Sequence, residues 1–540
     1  MQSQTGGKGG NAASNRYSTS WMARYAGGGA GNIGGTGAYT FSSGNGTAWT
    51  DGNGTNGTGG LLMIYTHDLY NGGEITANGS DGGKGRAKGG SSGGGSVNIF
   101  ANIVVEKGEI TANGGALGGK GGNGTVTINE LGSVLNYPEK RITLNIKDTY
   151  TIDKLKLSYI KLNDIQTEDI NLGNIVYETL GDNLVEVNTE GEITPKALGT
   201  TRVKITDETN GNSTYIMIDI IEQNAKAKIS AGENFVVTLR ENGTVWSYGC
   251  GANGRLGNGT KTNELEPVQV IDENDQGIEN IVDTSAGSNI AAALTKDGKV
   301  YTWGLYNYID ETQKNRTEER LKAKLENNLE NIVVVDCNKD NIYAIDSEGH
   351  VYIWGKGYSE PTILNTNTKM VDISGDILLG ENGKVYNVKD TNTEIEYLNN
   401  VCDISKGENH SLFLMLNGKA LAAGEGTSGE LGNKKQKTST SPVIVRDMNG
   451  YLENVVEISA GSKASMALVQ NGKAYAFGDN TNQKLGITGD KILFATQIEK
   501  LQYKNEEPIE LTDIEIVEVG KNNSCIADKD GFVYSVRFKH

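Results

Sequence analysis

The chain has 540 residues, 74 of them Gly and only 6 Pro, and a formal net charge of −17. That length exceeds one ordinary hydrophobic core and predicts several domains. The acidic balance repels phosphate backbones and anionic lipid surfaces, which argues against a nucleic-acid or membrane-surface partner.

No apolar run approaches the ~18 residues of a membrane-spanning helix. The opening Met1-Gln2-Ser3-Gln4 lacks the charged and apolar regions of a secretory signal. The Gly-rich repeat begins mid-stride, which reads as a piece of a longer chain. Cys250, Cys337, Cys402 and Cys525 fit neither zinc spacing nor a disulfide framework and are expected to be small buried hydrophobes.

Residues 1–135 form a Gly-rich repeat region. Gly73-Glu74-Ile75-Thr76-Ala77-Asn78-Gly79 returns as Gly108-Glu109-Ile110-Thr111-Ala112-Asn113-Gly114. Strand-like runs lie at 61–65, 97–105 and 126–128. A repeat of this length predicts stacked coils, with Gly at tight corners and close backbone approaches. A β-solenoid-like region or a Gly-rich sandwich satisfies it; over 1–58, where the strands are weakest, disorder competes. The pattern resembles the Gly-rich regions of bacterial surface proteins and phage adhesins.

Over 140–222 Gly thins out, and short strands are predicted at 142–146, 155–162, 175–178, 185–188, 201–206 and 213–221. This spacing reads as a small β-sandwich. The run Val185-Glu186-Val187-Asn188-Thr189-Glu190-Gly191-Glu192-Ile193-Thr194, then Gly199-Thr200 entering the next strand, resembles the bacterial immunoglobulin-like group 2 domain. The resemblance implies a spacer or adhesive module.

From 223 to 540 one pattern recurs. An apolar strand ends near Ser-Ala-Gly, as in Ile229-Ser230-Ala231-Gly232 and Ile458-Ser459-Ala460-Gly461. A second strand, an Asx-Gly turn and a third strand ending in aromatic-Gly follow. The turn glycines are Gly243, Gly298, Gly349, Gly383, Gly418, Gly472 and Gly531, and only Gly349 follows a Glu. Such turns between alternating strands predict type I′ hairpins. Tyr248-Gly249 to Leu256-Gly257, Ala423-Gly424 to Leu431-Gly432 and Phe477-Gly478 to Leu485-Gly486 add an outer motif, and His410-Ser411 adds a further repeat step. Together these residues resemble the regulator-of-chromosome-condensation-type repeat. The resemblance implies an all-β chain ending in a seven-bladed β-propeller.

The irregular blades stand out. Those around Gly349 and Gly383 are short and are expected to lack a full outer hairpin. The insertion 310–328, with Leu321 and Leu325 four apart, reads as a short exposed helix. The last blade stops after 532–538; its outer strand comes from elsewhere, for instance 216–226, or is absent.

No catalytic constellation is legible. The histidines are His67, His350, His410 and His540; His410 occupies a repeat position and is assigned a structural hydrogen bond. No Ser/His/Asp or Cys/His arrangement has local support, and no Gly-rich stretch fits a phosphate loop. No cofactor or metal is expected. Trp246, Trp303 and Trp354 recur near the aromatic-Gly step. They read either as packing between blades or as an aromatic lining that stacks on a sugar or anchors a protein.

The family's best-known relative exchanges nucleotide on a nuclear GTPase, but no residue here matches that activity. The reading is a non-catalytic protein- or glycan-binding chain with the propeller as recognition head, on the cell surface, secreted or on a virion. The alternative is a structural component of an envelope or phage appendage.

Overall fold

The computed structural model describes residues 61–79, 93–116, 121–130, 133–161, 170–180, 183–222, 225–310, 312–339, 341–358, 360–501, 507–520 and 524–535. The expectation for 1–58 and the end of the strand predicted over 532–538 lie outside them. The chain divides into two compact units, 1–133 with 161–168, and 134–160 with 169–540. Apart from short 3-10 turns, the described elements are strands.

In the first unit, strands Leu61–Tyr70, Ser96–Glu106 and Thr125–Glu130 pair in parallel, with Leu61 opposite Ser96 and Ser96 opposite Thr125. The repeated segments Glu74–Thr76 and Glu109–Thr111 also pair in parallel, Ile75 on Ile110. Equivalent residues therefore stack, and the stacking continues in side chains. Asn78 accepts the Asn113 N–H at 2.7 Å, and the Tyr65 and Phe100 rings stack at 4.8 Å. A Cβ at Gly124 would lie 1.6 Å from the Gly95 carbonyl, so the neighbouring coil leaves room only for Gly.

In the second unit, residues 134–222 build two sheets on one core. One sheet orders Ile175–Leu180, Gly199–Asp207, Asn212–Ile221 and Arg141–Asn145, the last pair parallel. The other orders Val185–Val187, Glu192–Pro195 and Tyr150–Thr151. Leu135, Tyr137, Ile152, Ile193, Ile205 and Ile216 are fully buried between them. The core thus reaches back before residue 140. The strand expected over 155–162 is a 3-10 turn, Lys154–Lys156, followed by a strand, Ser158–Lys161.

From Lys228 onward the described chain lays down six four-stranded antiparallel sheets and then a three-stranded one. The inner strands are Lys228–Ala231, Ile281–Ala286, Ile332–Cys337, Met370–Ser374, Val401–Lys406, Val455–Ala460 and Ile514–Val519. Each sheet runs outward in chain order, the arrangement of a propeller.

The Asx-Gly turns are not type I′. The Gly243 N–H donates to Arg240 O at 2.8 Å, and the Arg240 N–H to Thr244 O at 3.0 Å. Only Gly243 has positive φ (79°); Asn242 does not. This is a type I turn closed by a left-handed Gly. The residue before Gly keeps an ordinary φ, which is why Glu348 is tolerated beside Gly349.

Three further expectations are corrected. The third and fourth sheets do have outer strands, Thr362–Leu364 and Asp390–Glu394. The insertion is not a helix: Asn315–Leu325 pairs with Val300–Ile309, with a bulge at 321–323. Residues four apart share a face in a regular strand as in a helix, so the spacing of Leu321 and Leu325 did not discriminate. Residues 216–226 do not complete the last sheet, because Asn212–Ile221 is held between Gly199–Asp207 and Arg141–Asn145.

Candidate functional site

The inner strands enclose an axial cavity of about 1480 Å³. The serine position of the repeat faces it, as Ser230, Ser285, Asp336, Ser374, Ser405, Ser459 and Glu518 in successive sheets. These side chains bind the next inner strand. Ser285 accepts the Cys337 N–H at 2.9 Å, Asp336 that of Gly375 at 2.8 Å, Ser374 that of Lys406 at 3.0 Å. Ser405 accepts the Ala460 N–H and Ser459 the Val519 N–H, both at 2.9 Å. Glu518 accepts the Ala231 N–H at 3.3 Å, linking the last sheet to the first, and Ser230 donates to Thr284 O at 2.9 Å. An inner strand has no ladder partner on its axial side, so the serine supplies one.

Two residues nearer the Asx-Gly loops, five of the seven equivalent positions form a charged arc, Lys228, Asp283, Asp372, Asp403 and Glu457, while Val334 and Ile516 hold the other two. Lys228 pairs with Asp283 at 2.6 Å; burial lowers the Lys228 pKa, but Asp283 outweighs it and the amine is held charged. Burial pushes the Asp372 carboxyl well above its usual range, and Asp403 adds to this.

The 134–222 sheets reach these charged residues. Arg141 forks onto Asp219 at 2.6 and 3.0 Å and onto Asp403 at 3.1 Å. Burial opposes the charge on Asp219, but Arg141 and Lys226 prevail and hold its carboxyl far below the usual range. Arg202 donates to Asn454 at 2.8 Å, Gln470 donates to Leu180 O at 2.9 Å, and Met217 is fully buried among propeller residues. These contacts all fall on the face that carries the Asx-Gly turns. Sequence reasoning missed them, because Arg141 and Asp403 are 262 positions apart. It recognised the repeated serine as a marker without its bonding role.

The tryptophans do not come together as a lining. Trp303 and Trp354 are fully buried, and Trp303 Nε1 donates to Arg255 O at 2.9 Å. Trp246 is half-buried beneath Arg240, 4.2 Å from its ring centroid, with Nε1 donating to Thr244. Packing between sheets accounts for the two buried rings, and neither can present a face to a ligand.

His410 is buried, its Nε2 2.8 Å from Ser465 Oγ, which donates to Glu430 O at 3.0 Å. The single hydroxyl proton is thereby committed, so His410 donates from Nε2. Burial, helped by Lys406, lowers its pKa to about 3. This is a sealed structural pair, not an activated nucleophile. His350 sits at a turn, 2.9 Å from Asp346. Cys337, Cys402 and Cys525 are buried and Cys250 half-buried, all free. Among the described residues no group of three or more His, Cys, Asp or Glu is arranged to hold a metal ion.

Residues 191–536 match the family model described as RCC1-like domain. Protein pim1 of Schizosaccharomyces pombe is 26% identical over 275 residues, 48% of this chain and 48% of that protein. The ultraviolet-B receptor UVR8 of Arabidopsis thaliana is 27% identical over 263 residues, covering 48% of this chain and 54% of that one. The human E3 ubiquitin-protein ligase HERC2 is 28% identical over 260 residues, 46% of this chain and 5% of the ligase. The chain thus spans about half the length, or less, of these relatives. Among solved structures, human WBSCR16 aligns at TM-score 0.44 and 17% identity, over 58% of this chain and 90% of that one. Prp20p of Saccharomyces cerevisiae aligns at TM-score 0.35 and 23% identity, over 57% and 70%.

The curated relatives are nuclear or cytoplasmic proteins. This overturns the expected extracellular, cell-surface or virion location, which rested on the composition of the Gly-rich region and a resemblance over 140–222. With its match covering well over half of its length, the chain belongs to the RCC1-like domain family.

Proposed function

We propose that this chain is a non-catalytic, protein-binding propeller. Its seven sheets act as the blades of one closed ring, residues 134–222 as an immunoglobulin-like cover, and the Gly-rich segment as a stacked-coil scaffold. The circle of inter-strand bonds ending at Glu518 and Ala231 supports the ring. The relatives support a protein-binding regulatory role. The buried Trp303 and Trp354 favour a protein over a sugar partner.

The observation that carries the reading is that residues 134–222 occupy the Asx-Gly face. Arg141, Arg202 and Gln470 engage the Asx-Gly face, so recognition falls to the opposite face, where Asn234, Lys339, Glu408, Asn409 and Lys463 are exposed. The test is quantitative partner capture by cross-linking with the full chain. Lys339→Glu with Lys463→Glu loses the partner, whereas Lys296→Glu, exposed on the covered side, keeps it. The reverse pattern, or turnover in a hydrolase screen, overturns the reading.

A further inference from the structure

Residues 134–222 carry a hydrophobic core of their own. Ile193, Val203, Ile205, Ile216 and Ile218 help to close it, and no propeller residue enters it. The fifth, sixth and seventh sheets share a second core. Among the described residues one cover side chain, Met217, is fully buried in that core, with Tyr215 partly buried against it. Arg202, Met217 and Arg141 stand in register on adjacent strands of the cover sheet. One row of that sheet therefore supplies both the apolar anchor and the two arginines.

The other contacts at this joint are polar. Arg141 holds Asp403 and Arg202 holds Asn454. Gln470 donates to Leu180 O, and to Thr201 Oγ1 at 3.1 Å. Lys226 lies 3.8 Å from Glu457. The ion pairs are not sealed. The side chains of Arg141 and Asp403 are each 23% exposed, Lys226 30% and Glu457 19%, and all four line the axial cavity. Dissolved salt screens charges in such a setting. Two separate cores, joined through one apolar side chain and solvent-reached ion pairs, make domains that move relative to each other.

The joint also closes one end of the cavity, where Pro138, Glu139, Lys140 and Arg141 line it together with the inner strands. Cys402 lies at the joint, 5% exposed and in the same core as Met217. Burial and Asp403 push its thiol up to about 12, against the pull of Arg141, Arg202 and Lys140. All three of those cations belong to the cover.

We propose that residues 134–222 are a detachable lid, which lifts off the Asx-Gly end as a folded unit when the Arg141–Asp403 and Lys226–Glu457 pairs break, and so opens the axial cavity at that end. Opening of this kind is a sub-global event, separate from unfolding of the sheets. The proposal concerns the covered face and does not rest on the protein-binding reading.

The test is iodoacetamide labelling of the full chain, with peptide mass spectrometry reading each cysteine separately. Half-buried Cys250 calibrates the reagent. Cys525, 1% exposed in the seventh sheet, reports unfolding. Raising NaCl from about 0.05 to about 0.5 M is expected to speed the labelling of Cys402 several-fold, relative to Cys250, while Cys525 stays slow. Met217→Asp leaves the lid's own core untouched and is expected to speed Cys402 by about tenfold or more, again without Cys525. Cys402 and Cys525 reacting at one rate in the unaltered chain overturns the proposal, because the joint then opens only when the sheets unfold. Labelling of Cys402 that is indifferent to salt overturns it as well. If Met217→Asp itself unfolds the chain, which Cys525 reveals, the salt series on the unaltered chain decides. Failure of the lid leaves recognition at the opposite face to its own cross-linking test.

Discussion

The Glu518 carboxylate accepts the Ala231 N–H at 3.3 Å and the Ser459 hydroxyl at 2.9 Å, so one side chain ties the last inner strand to the first and to its own predecessor. At the other seams a serine makes this link, except between the third and fourth sheets, where Asp336 does. Burial raises the Glu518 pKa from 4.5 to about 7, against the hydrogen bonds that lower it. A carboxyl raised by folding stabilises while protonated, so its contribution is present below pH 4.5 and lost as pH rises through about 7. Thermal denaturation between pH 5 and 8 is expected to show stability falling across that window, and Glu518→Gln to flatten the slope. An unchanged slope in Glu518→Gln would mean that the carboxyl titrates elsewhere.

His410 acts with the opposite sign. Its pKa is lowered to about 3 from 6.5, so the neutral ring stabilises above pH 6.5 and that contribution is lost as pH falls towards 3. His410→Asn is expected to reduce acid sensitivity in this window, at the cost of the bond to Ser465. Denaturant titrations at pH 4 and 7 measure both effects.

Removing Arg141 takes the ion-pair partner from Asp403 and leaves Asp219 with Lys226 alone. Breaking a buried pair on one side costs about 3–5 kcal/mol. Arg141→Met is expected to fall in that range and Arg141→Lys to recover part of it, because Lys cannot make the forked contact. Denaturant unfolding followed by tryptophan fluorescence reads both; a loss below 1 kcal/mol would mean that solvent screens this contact.

Gly418 and Gly531 hold the same turn position with φ of 77° and 82°. Alanine at either pays the left-handed cost of ~1–2 kcal/mol. Only at Gly418 would the Cβ meet a neighbour, 2.0 Å from Arg202 Nη1, whereas Gly531 has nothing within 4 Å. Gly418→Ala is therefore expected to lower the melting temperature more than Gly531→Ala. Adding Arg202→Ala should narrow the gap between them.

Truncating the fully buried Trp303 to Ala is expected to cost ~3–5 kcal/mol, and truncating the half-buried Trp246 distinctly less. Equal costs would contradict packing as the role of Trp303.

Local chemistry made much of this legible. Ile-Ser-Ala-Gly, the Asx-Gly turns and the Leu-Gly loops each fix a backbone shape within a few residues, so the repeats could be traced in the sequence. The turn type was misread because Asn-Gly serves two hairpin geometries, and Glu348 was the residue that told them apart. The 310–328 insertion misled because spacing by four is common to strands and helices. The contacts of Arg141 and Arg202 carry no sequence signal, since their partners are set by how the sheets meet. The tryptophans fell between lining and packing because position in a repeat does not say which way a ring points.

The circle of serine contacts has a mechanical consequence. Tension applied to one inner strand passes around the axis through one or two side-chain bonds at each seam, like load around a hoop. A hoop parts at its weakest joint. The last joint rests on one carboxylate and on a sheet with three described strands instead of four. Pulled apart or warmed, the ring is built to open there first, so amide exchange at Ala231 should outpace that at Ala460.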